Sequence, residues 1–130
     1  MSFDLAEYLQ SRPIIALVGA TNQKEKFGNI IFHDLLRKNF RVIPVNPRAT
    51  TIDGVQAFKS LSAAANAENI DLVVYVVPPK ITLETLKESK ELGLTRAWVQ
   101  PGAGDESVRM FLEENKYDYL MNACVMVQAS

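Results

Sequence analysis

The residues best placed for chemistry surround one glycine at the end of an apolar run. Residues 14–18 are almost all Ile, Leu or Val, which indicates a strand buried on both faces. Gly19 follows at once, where the chain must turn sharply, and an apolar helical pattern begins near Phe27. A strand, a glycine turn and a helix N-terminus bring unpaired backbone N–H groups and the positive end of the helix dipole together. The segment therefore predicts a site for a phosphate-bearing ligand above Gly19.

The loop after the second apolar segment narrows the choice of ligand. It carries Asn46, Pro47 and Arg48, with no acidic residue before Asp53. An NAD site has a carboxylate here for the ribose hydroxyls, whereas arginine pairs with phosphate through two charge-assisted hydrogen bonds. The first loop also lacks the G-x-G-x-x-G spacing of dinucleotide sites. These residues favour a ligand with an additional ribose phosphate, either NADP(H) or coenzyme A, and leave the choice between them open.

Further candidate residues lie in the other loops at the carboxyl ends of the predicted strands, where open α/β sheets bind their ligands. Lys24 and Lys26 could reach a phosphate from the first loop, and Asn122 follows the last strand. The third and fourth strands end in loops rich in proline and glycine, which let a ligand approach the backbone. The full set of candidate ligand-binding residues is Gly19, Ala20, Thr21, Asn22, Lys24, Lys26, Phe27, Gly28, Asn46, Pro47, Arg48, Val77, Pro78, Pro79, Val99, Gln100, Pro101, Gly102 and Asn122.

No group of residues points to catalysis. His33, the one histidine, is predicted on the helix face away from the core, without a partner that the sequence identifies. Cys124, the one cysteine, is expected to be a small core residue, the alternatives being a mixed disulfide with a thiol ligand or a nucleophile with a lowered pKa. The sequence contains neither a Ser-His-Asp set nor the G-K-[ST] of a P-loop. We expect a binding module and leave open whether any reaction is catalysed.

Five apolar segments, which begin near residues 14, 41, 70, 96 and 117, alternate with helical patterns. This alternation predicts right-handed βαβ crossovers and a doubly wound parallel sheet with helices on both faces. We predict one α/β domain over residues 1–130, with strand order 3-2-1-4-5. A short N-terminal helix, capped by Ser2, is expected within residues 1–12. Pro44 removes a ladder donor from the second strand and is expected to disturb or shorten it.

The composition excludes several classes of protein. The chain has 130 residues and a formal net charge of −1, so it has no electrostatic footprint for nucleic acid. The single cysteine excludes an internal disulfide and a multi-cysteine metal site. No apolar run is long enough to cross a bilayer, and residues 1–12 lack the basic region of a signal peptide. We expect a cytoplasmic soluble domain, with homo-oligomerisation or a protein partner left open.

Six short motifs, taken in order, give a resemblance to a known family. They are Gly-Ala-Thr at 19–21, Lys-Phe-Gly at 26–28, Val-Asn-Pro-Arg at 45–48, Val-Val-Pro at 76–78, Trp-Val-Gln-Pro-Gly at 98–102 and Asn-Ala-Cys at 122–124. Over about residues 13–127 the chain resembles the small stand-alone CoA-binding proteins. It is also similar to the N-terminal CoA-binding domain of the succinyl-CoA synthetase α subunit. The second synthetase domain, with its phosphorylated histidine, is not matched, so that chemistry is not implied.

The resemblance implies a Rossmann-like fold and a set of ligand contacts. The loop at 19–24 would hold the CoA phosphates, Arg48 would take the place of a basic residue, and the loops at 77–79 and 99–102 would line the ligand. The synthetase has a glutamate where this chain has Pro101.

We expect a CoA or acyl-CoA binding, carrier or sensing module. It would hold the pyrophosphate on residues 19–22, and its loops at 77–79 and 100–102 would wall the adenosine. The alternatives are an NADP(H)-binding oxidoreductase or redox sensor, and an interaction module with a vestigial nucleotide site.

Overall fold

Strands and helices alternate along the chain, as the apolar pattern predicts. The structure, a computed structural model, describes residues 3–130. In chain order the elements are α1 (Leu5–Leu9), β1 (Ile15–Val18), α2 (Phe27–Arg37), β2 (Val42–Val45), β3 (Thr51–Ile52), β4 (Val55–Gln56), α3 (Leu61–Ala67), β5 (Leu72–Tyr75), α4 (Pro79–Glu91), β6 (Arg96–Val99), α5 (Glu106–Glu114), β7 (Asp118–Met121) and α6 (Val125–Gln128).

Five strands form a parallel sheet in the order β2-β1-β5-β6-β7, with helices on both faces. Alternate residues of each strand face opposite layers. Ile15 and Leu17 pack in the core with α1, α2 and α6, and Ala16 and Val18 pack in the core with α3, α4 and α5. Burial on both faces explains why the strand sequences are almost continuously apolar. The predicted fold class, a doubly wound α/β domain with a five-stranded parallel sheet, is confirmed.

The predicted strand order is wrong. Counted along the chain over this sheet alone, the observed order is 2-1-3-4-5 and not 3-2-1-4-5. The third strand, β5, lies between β1 and β6, with Leu72 opposite Ile15 and Val73 opposite Ala97. Both orders bury apolar strands equally, so the hydrophobic pattern could not distinguish them. The reversal of direction after β2 places the switch point between β1 and β5, where ligands bind in such sheets.

The outer edge of β2 is closed by a short bridge, which explains both the strand order and the tolerance of Pro44. The Phe58 N–H donates to the Pro44 carbonyl at 3.0 Å, and the Asn46 N–H donates to the Phe58 carbonyl at 2.9 Å. Pro44 stands opposite Leu17 in an unbroken register, without the expected disturbance. Because proline lies in the strand nearest the edge, its missing donor is tolerated. With that edge occupied, the third strand pairs with β1.

The N-terminal helix is shorter than the predicted range. It begins at Leu5, and the Asp4 carboxylate caps it by accepting the Glu7 N–H at 3.1 Å. The predicted cap, Ser2, lies outside the described residues. Leu5 and Leu9 are buried in the core, which anchors the helix. None of the helices between residues 3 and 130 has the length and apolar character needed to span a bilayer.

A small antiparallel hairpin, β3–β4, lies between β2 and α3. Ile52 stands opposite Val55, and the turn residues Asp53 and Gly54 both have positive φ, at 47° and 85°. The Asp-Gly pair predicts this turn, because both residue types tolerate positive φ. The strands themselves give no sequence signal, since each contains only two residues. The hairpin matters because its turn contacts the loop after β1.

Candidate functional site

The carboxyl ends of the central strands open into two clefts. The first, called here the α2 cleft, has a volume of about 610 Å³ and lies between the start of α2 and the loops after β5 and β6. The second, called the Arg48 cleft, has a volume of about 660 Å³ and lies between the loop after β2, the start of α3 and α4. Gly19, Val77 and Pro78 line both clefts. Volumes of this size are typical of small-molecule sites, and the shared residues lie at the switch point.

The clefts divide the predicted ligand residues between them. The α2 cleft is lined by Gly19, Thr21, Lys26, Phe27, Gly28, Val77, Pro78, Pro79, Pro101 and Gly102. The Arg48 cleft is lined by Gly19, Asn46, Pro47, Arg48, Val77 and Pro78. Arg48, expected to hold the ribose phosphate, and Pro101, from a loop expected to enclose the adenosine, therefore line different clefts. Glu25, Val76 and Ala103 of the α2 cleft were not among the candidates.

Two glycines allow the start of α2 and the loop after β5 to lie directly against the loop after β1. Gly19 has φ 109°, and a Cβ there would lie 2.8 Å from the Val76 Cγ1 and 2.9 Å from the Val76 carbonyl oxygen. A Cβ at Gly28 would overlap the Gly19 carbonyl oxygen. A larger residue at Gly28 would separate the helix from the loop after β1, and a larger residue at Gly19 would push that loop away from the loop after β5. The second glycine, read from the sequence as a failed dinucleotide spacing, is thus required by this close approach.

The start of α2 offers backbone donors to a ligand. Lys26 occupies the N-cap position and makes no side-chain capping hydrogen bond. Within residues 3–130, the N–H groups of Phe27 and Gly28 have no acceptor. Unpaired N–H groups and the helix dipole together favour an anion at this point.

Two asparagine side chains fix the orientation of the loop after β1. Asn46 Nδ2 donates to the Ala20 carbonyl at 2.8 Å, and Asn29 Nδ2 donates to the Thr21 carbonyl at 2.8 Å. The N–H of a trans peptide points opposite to its C=O. The N–H groups of Thr21 and Asn22 therefore point away from the asparagines, and neither has an acceptor among the described residues. Consecutive free N–H groups are the donors from which anion-binding nests are built.

Asn22 and Asn46 act through their side chains as supports for the loops. Asn22 Nδ2 donates to the Thr51 carbonyl at 2.9 Å, and Asn22 Oδ1 accepts the Asp53 N–H at 2.8 Å. Asn46 Oδ1 accepts the Arg48 N–H at 2.8 Å. Both amides are thus engaged by protein, and what these loops present to a ligand is their backbone and the Arg48 side chain.

The Arg48 cleft contains two cations. Arg48 is joined there by Lys59, a residue that no motif in the sequence points to. Lys59 follows Phe58, whose bridge to Val45 brings it to the same edge of the sheet. The salt bridges found in residues 3–130 include neither cation. Glu88, the acidic residue lining the cleft, accepts hydrogen bonds from the Ser62 N–H at 2.9 Å and hydroxyl at 2.6 Å. The cleft can therefore pair with a phosphate.

The remaining candidates lie outside the lining of both clefts: Ala20, Asn22, Lys24, Val99, Gln100 and Asn122. Ala20 and Val99 are fully buried. Gln100 accepts the Val125 N–H at 2.7 Å and donates to the Cys124 sulfur at 3.4 Å. It lines a small pocket of about 160 Å³ with Cys124 beside the α2 cleft. Asn122 adopts φ 60° and donates its N–H to the Val99 carbonyl at 3.1 Å, as a turn residue does.

His33 has a partner that the sequence did not reveal. Its Nε2 lies 2.6 Å from Asp53 Oδ2, and the same oxygen accepts from Asn29 Nδ2 at 2.8 Å. Hydrogen bonding to Asn29, followed by the bond and charge of His33, lowers the pKa of Asp53 despite partial desolvation. The signal that could have located this pair is the Asp-Gly turn, but nothing in the sequence places that turn beside α2. The pair lines neither cleft.

The known proteins to which this chain is similar include CoA-binding domains and CoA ligases. A family model described as a CoA binding domain matches residues 14–130. The acetate–CoA ligase (ADP-forming) II subunit alpha of Pyrococcus furiosus is 37% identical over 81 residues, which are 62% of this chain and 17% of that protein. The acetate–CoA ligase (ADP-forming) of Methanocaldococcus jannaschii is 30% identical over 110 residues, which are 85% of this chain and 15% of that protein. This chain thus spans only a small part of the length of these relatives.

A solved structure has the same fold over nearly its whole length. It is described as a conserved hypothetical protein from Pyrococcus furiosus and is 43% identical to this chain. The match covers 89% of this chain and 98% of that chain, with a TM-score of 0.85. The sheet and helices described above are therefore shared with a protein of similar size.

Proposed function

This chain belongs to the CoA-binding domain family, and on that premise we propose that it binds coenzyme A, or a thioester of it, across the two clefts. The observation that carries the proposal is the position of the loop after β1. Gly19 of this loop lines both clefts, and the free N–H groups of Thr21, Phe27 and Gly28 belong to residues that line the largely apolar α2 cleft, next to the cleft that contains Arg48 and Lys59. Coenzyme A has the matching order of groups, with a pyrophosphate between an apolar-leaning pantetheine arm and a phosphorylated adenosine.

The pyrophosphate occupies the nest of the first loop. Thr21 and Asn22 offer N–H groups from the loop, and Phe27 and Gly28 offer them from the start of α2. Charge-assisted bonds from such donors are stronger than bonds to neutral acceptors. Lys26, which lines the same cleft, adds a positive charge at the helix N-terminus.

The adenosine 3′-phosphate lies in the Arg48 cleft. Arg48 and Lys59 both line this cleft and have no carboxylate partner within residues 3–130. A guanidinium can bind phosphate through two parallel hydrogen bonds. In this arrangement residues 100–102 do not enclose the adenosine as the sequence led us to expect, because Pro101 and Gly102 line the α2 cleft and Gln100 lines its side pocket.

The pantetheine arm lies in the α2 cleft. Its walls include Val76, Pro79, Pro101 and the ring of Phe27, which is 65% exposed. A ligand that covers an exposed aromatic ring beside an apolar cleft removes apolar surface from water, which stabilises the complex. The family match favours coenzyme A over NADP(H), which the residues alone left open. Because the His33–Asp53 pair lines neither cleft, we propose a binding, carrier or sensing role for a single domain.

The test is a comparison of ligands by calorimetry and thermal shift. Coenzyme A at about 100 times its dissociation constant should stabilise the protein by roughly 2.7 kcal/mol. Dephospho-CoA should bind the wild type more weakly than coenzyme A does. Arg48→Ala should bind both ligands with the affinity that the wild type has for dephospho-CoA, because the ion pair is lost when either the phosphate or the guanidinium is removed. Arg37→Ala, which removes a 70% exposed arginine from the end of α2, is the matched control. Stabilisation by NADPH alone would refute the proposal in favour of an oxidoreductase, and no response to any nucleotide would favour the interaction module.

A further inference from the structure

The β3–β4 hairpin is attached to the loop after β1 by the Asn22 side chain. Its Nδ2 donates to the Thr51 carbonyl at 2.9 Å, and its Oδ1 accepts the Asp53 N–H at 2.8 Å. The amide thus pairs with the hairpin backbone in both directions, as a neighbouring strand would. Neither bond depends on the Asp53 side chain, so the hairpin backbone alone holds one end of the loop.

The Asp53 side chain makes a second connection, through Asn29 in the first turn of α2. Asn29 Nδ2 donates to Asp53 Oδ2 at 2.8 Å and to the Thr21 carbonyl at 2.8 Å. An amide nitrogen carries two hydrogens, so both bonds form at once. Asn29 is only 4% exposed, so rotation of its amide would leave buried polar groups unpaired. Asp53 therefore fixes the rotamer of Asn29, and Asn29 fixes the Thr21 carbonyl.

We propose that the hairpin is a brace for the ligand-binding loop, with Asp53 as a positioning residue that acts through Asn29. The chain of contacts runs from the Asp53 carboxylate to the Asn29 amide, from there to the Thr21 carbonyl, and through that peptide to the N–H of Asn22. This inference rests on the proposed function, because it assigns the purpose of the loop conformation to phosphate binding. It gives a role to a hairpin that lines neither cleft.

The Asp53 carboxylate is held in its ionised form by its neighbours. His33 Nε2 lies 2.6 Å from the carboxylate, and Lys24 also contributes an attractive charge. The pKa of Asp53 is lowered, chiefly by the bond from Asn29. The carboxylate is therefore ionised at neutral pH and accepts from both neighbours.

Removal of the Asp53 carboxylate should change the affinity for coenzyme A in opposite directions, depending on whether Asp53 acts as a brace or only as a charge. Removing a negative charge near a phosphate site should strengthen the binding of a polyanion if charge alone matters. Removing the brace should weaken it, because the loop would adopt its binding conformation for only part of the time, and apparent affinity falls by that fraction. Asp53→Gly separates the two, since glycine tolerates φ 47° and Gly-Gly keeps the hairpin turn.

The experiment measures coenzyme A affinity by calorimetry and the order parameters of the Thr21 and Asn22 amides by NMR without ligand. We expect about tenfold weaker binding for Asp53→Gly, with order parameters falling from about 0.85 towards 0.6 or below. Asn29→Ala should give the same two changes, and the double variant should lose no more than either single variant. Glu106→Gln, at a side chain 75% exposed on α5, removes the same charge without touching the loop and should change neither measurement.

The outcomes separate the brace from the proposed function. If the wild-type protein does not bind coenzyme A, the proposed function fails, while the order parameters still report on the brace. If the wild type binds and Asp53→Gly binds equally well or more tightly, the positioning role is overturned. Unchanged order parameters in both Asp53→Gly and Asn29→Ala would overturn it as well, whatever the affinity.

Discussion

Gly19→Ala tests whether the ligand loop depends on a residue without a Cβ. Gly19 has φ 109°, which L-residues rarely adopt, and an added Cβ would meet three atoms of the loop after β5. These atoms are the Val76 Cγ1 at 2.8 Å, the Val76 carbonyl oxygen at 2.9 Å and the Val77 Cγ1 at 2.9 Å. Because one of them is backbone, the contact cannot be relieved by side-chain rotation alone.

The loss of unfolding free energy expected for Gly19→Ala has two parts, and a control variant separates them. Gly93, after α4, has φ 76°, and a Cβ there would have nothing within 4 Å. Gly93→Ala should therefore lose only the backbone term, about 1 kcal/mol of unfolding free energy. Gly19→Ala should lose that amount plus about 1–3 kcal/mol for overpacking. A domain of ordinary stability, about 5–15 kcal/mol, remains folded after either change.

The assay is urea unfolding followed by titration with coenzyme A. Displacing the loop costs at least one hydrogen bond to a charged phosphate, about 1.5–3 kcal/mol, which is about tenfold or more in affinity. Gly93→Ala should bind coenzyme A normally. If Gly19→Ala is no less stable than Gly93→Ala, the close packing of the loop is refuted; if it binds coenzyme A normally, the placement of the pyrophosphate is refuted.

Three further predictions concern other parts of the molecule. Lys59→Ala should weaken coenzyme A binding by about 1 kcal/mol, or about fivefold, and leave dephospho-CoA binding unchanged. Lys90→Ala, at an exposed lysine of α4, is the control and should change the affinity for neither ligand. Calorimetry measures both affinities, and equal losses for the two ligands in Lys59→Ala would contradict the prediction. The pKa of Asp53 is lowered on folding, so the stabilisation that its carboxylate contributes is present above the unfolded pKa and is lost as pH falls through the folded pKa. The difference in unfolding free energy between wild type and Asp53→Gly should therefore shrink below about pH 4 in denaturant titrations. A difference that stays constant with pH would contradict this prediction. Asp105→Ala should lower the unfolding free energy by about 1 kcal/mol without changing coenzyme A affinity, because the Asp105 carboxylate caps α5 by accepting the Val108 N–H at 3.0 Å.

The local pattern of the sequence predicted the five strands of the parallel sheet and pointed to a candidate site at their carboxyl ends. Apolar runs predicted the strands, because strands buried on both faces carry few polar residues. Gly19 and the start of α2 predicted an anion site, because a glycine turn and a helix N-terminus are adjacent in the chain. Arg48 predicted a phosphate partner from its place after β2. Each of these inferences uses residues close together in sequence, where chain geometry leaves few alternatives.

The tertiary structure decided everything that depends on which distant segments meet. The bridge from Phe58 to Val45 closes the edge of β2, and with it the strand order becomes 2-1-3-4-5. The same bridge brings Lys59 beside Arg48, and the hairpin brings Asp53 to Asn29. Apolar periodicity records whether a residue is buried but not against which partner, because burial is non-directional. Directional hydrogen bonds between remote segments make that choice, and they are visible only in the folded chain.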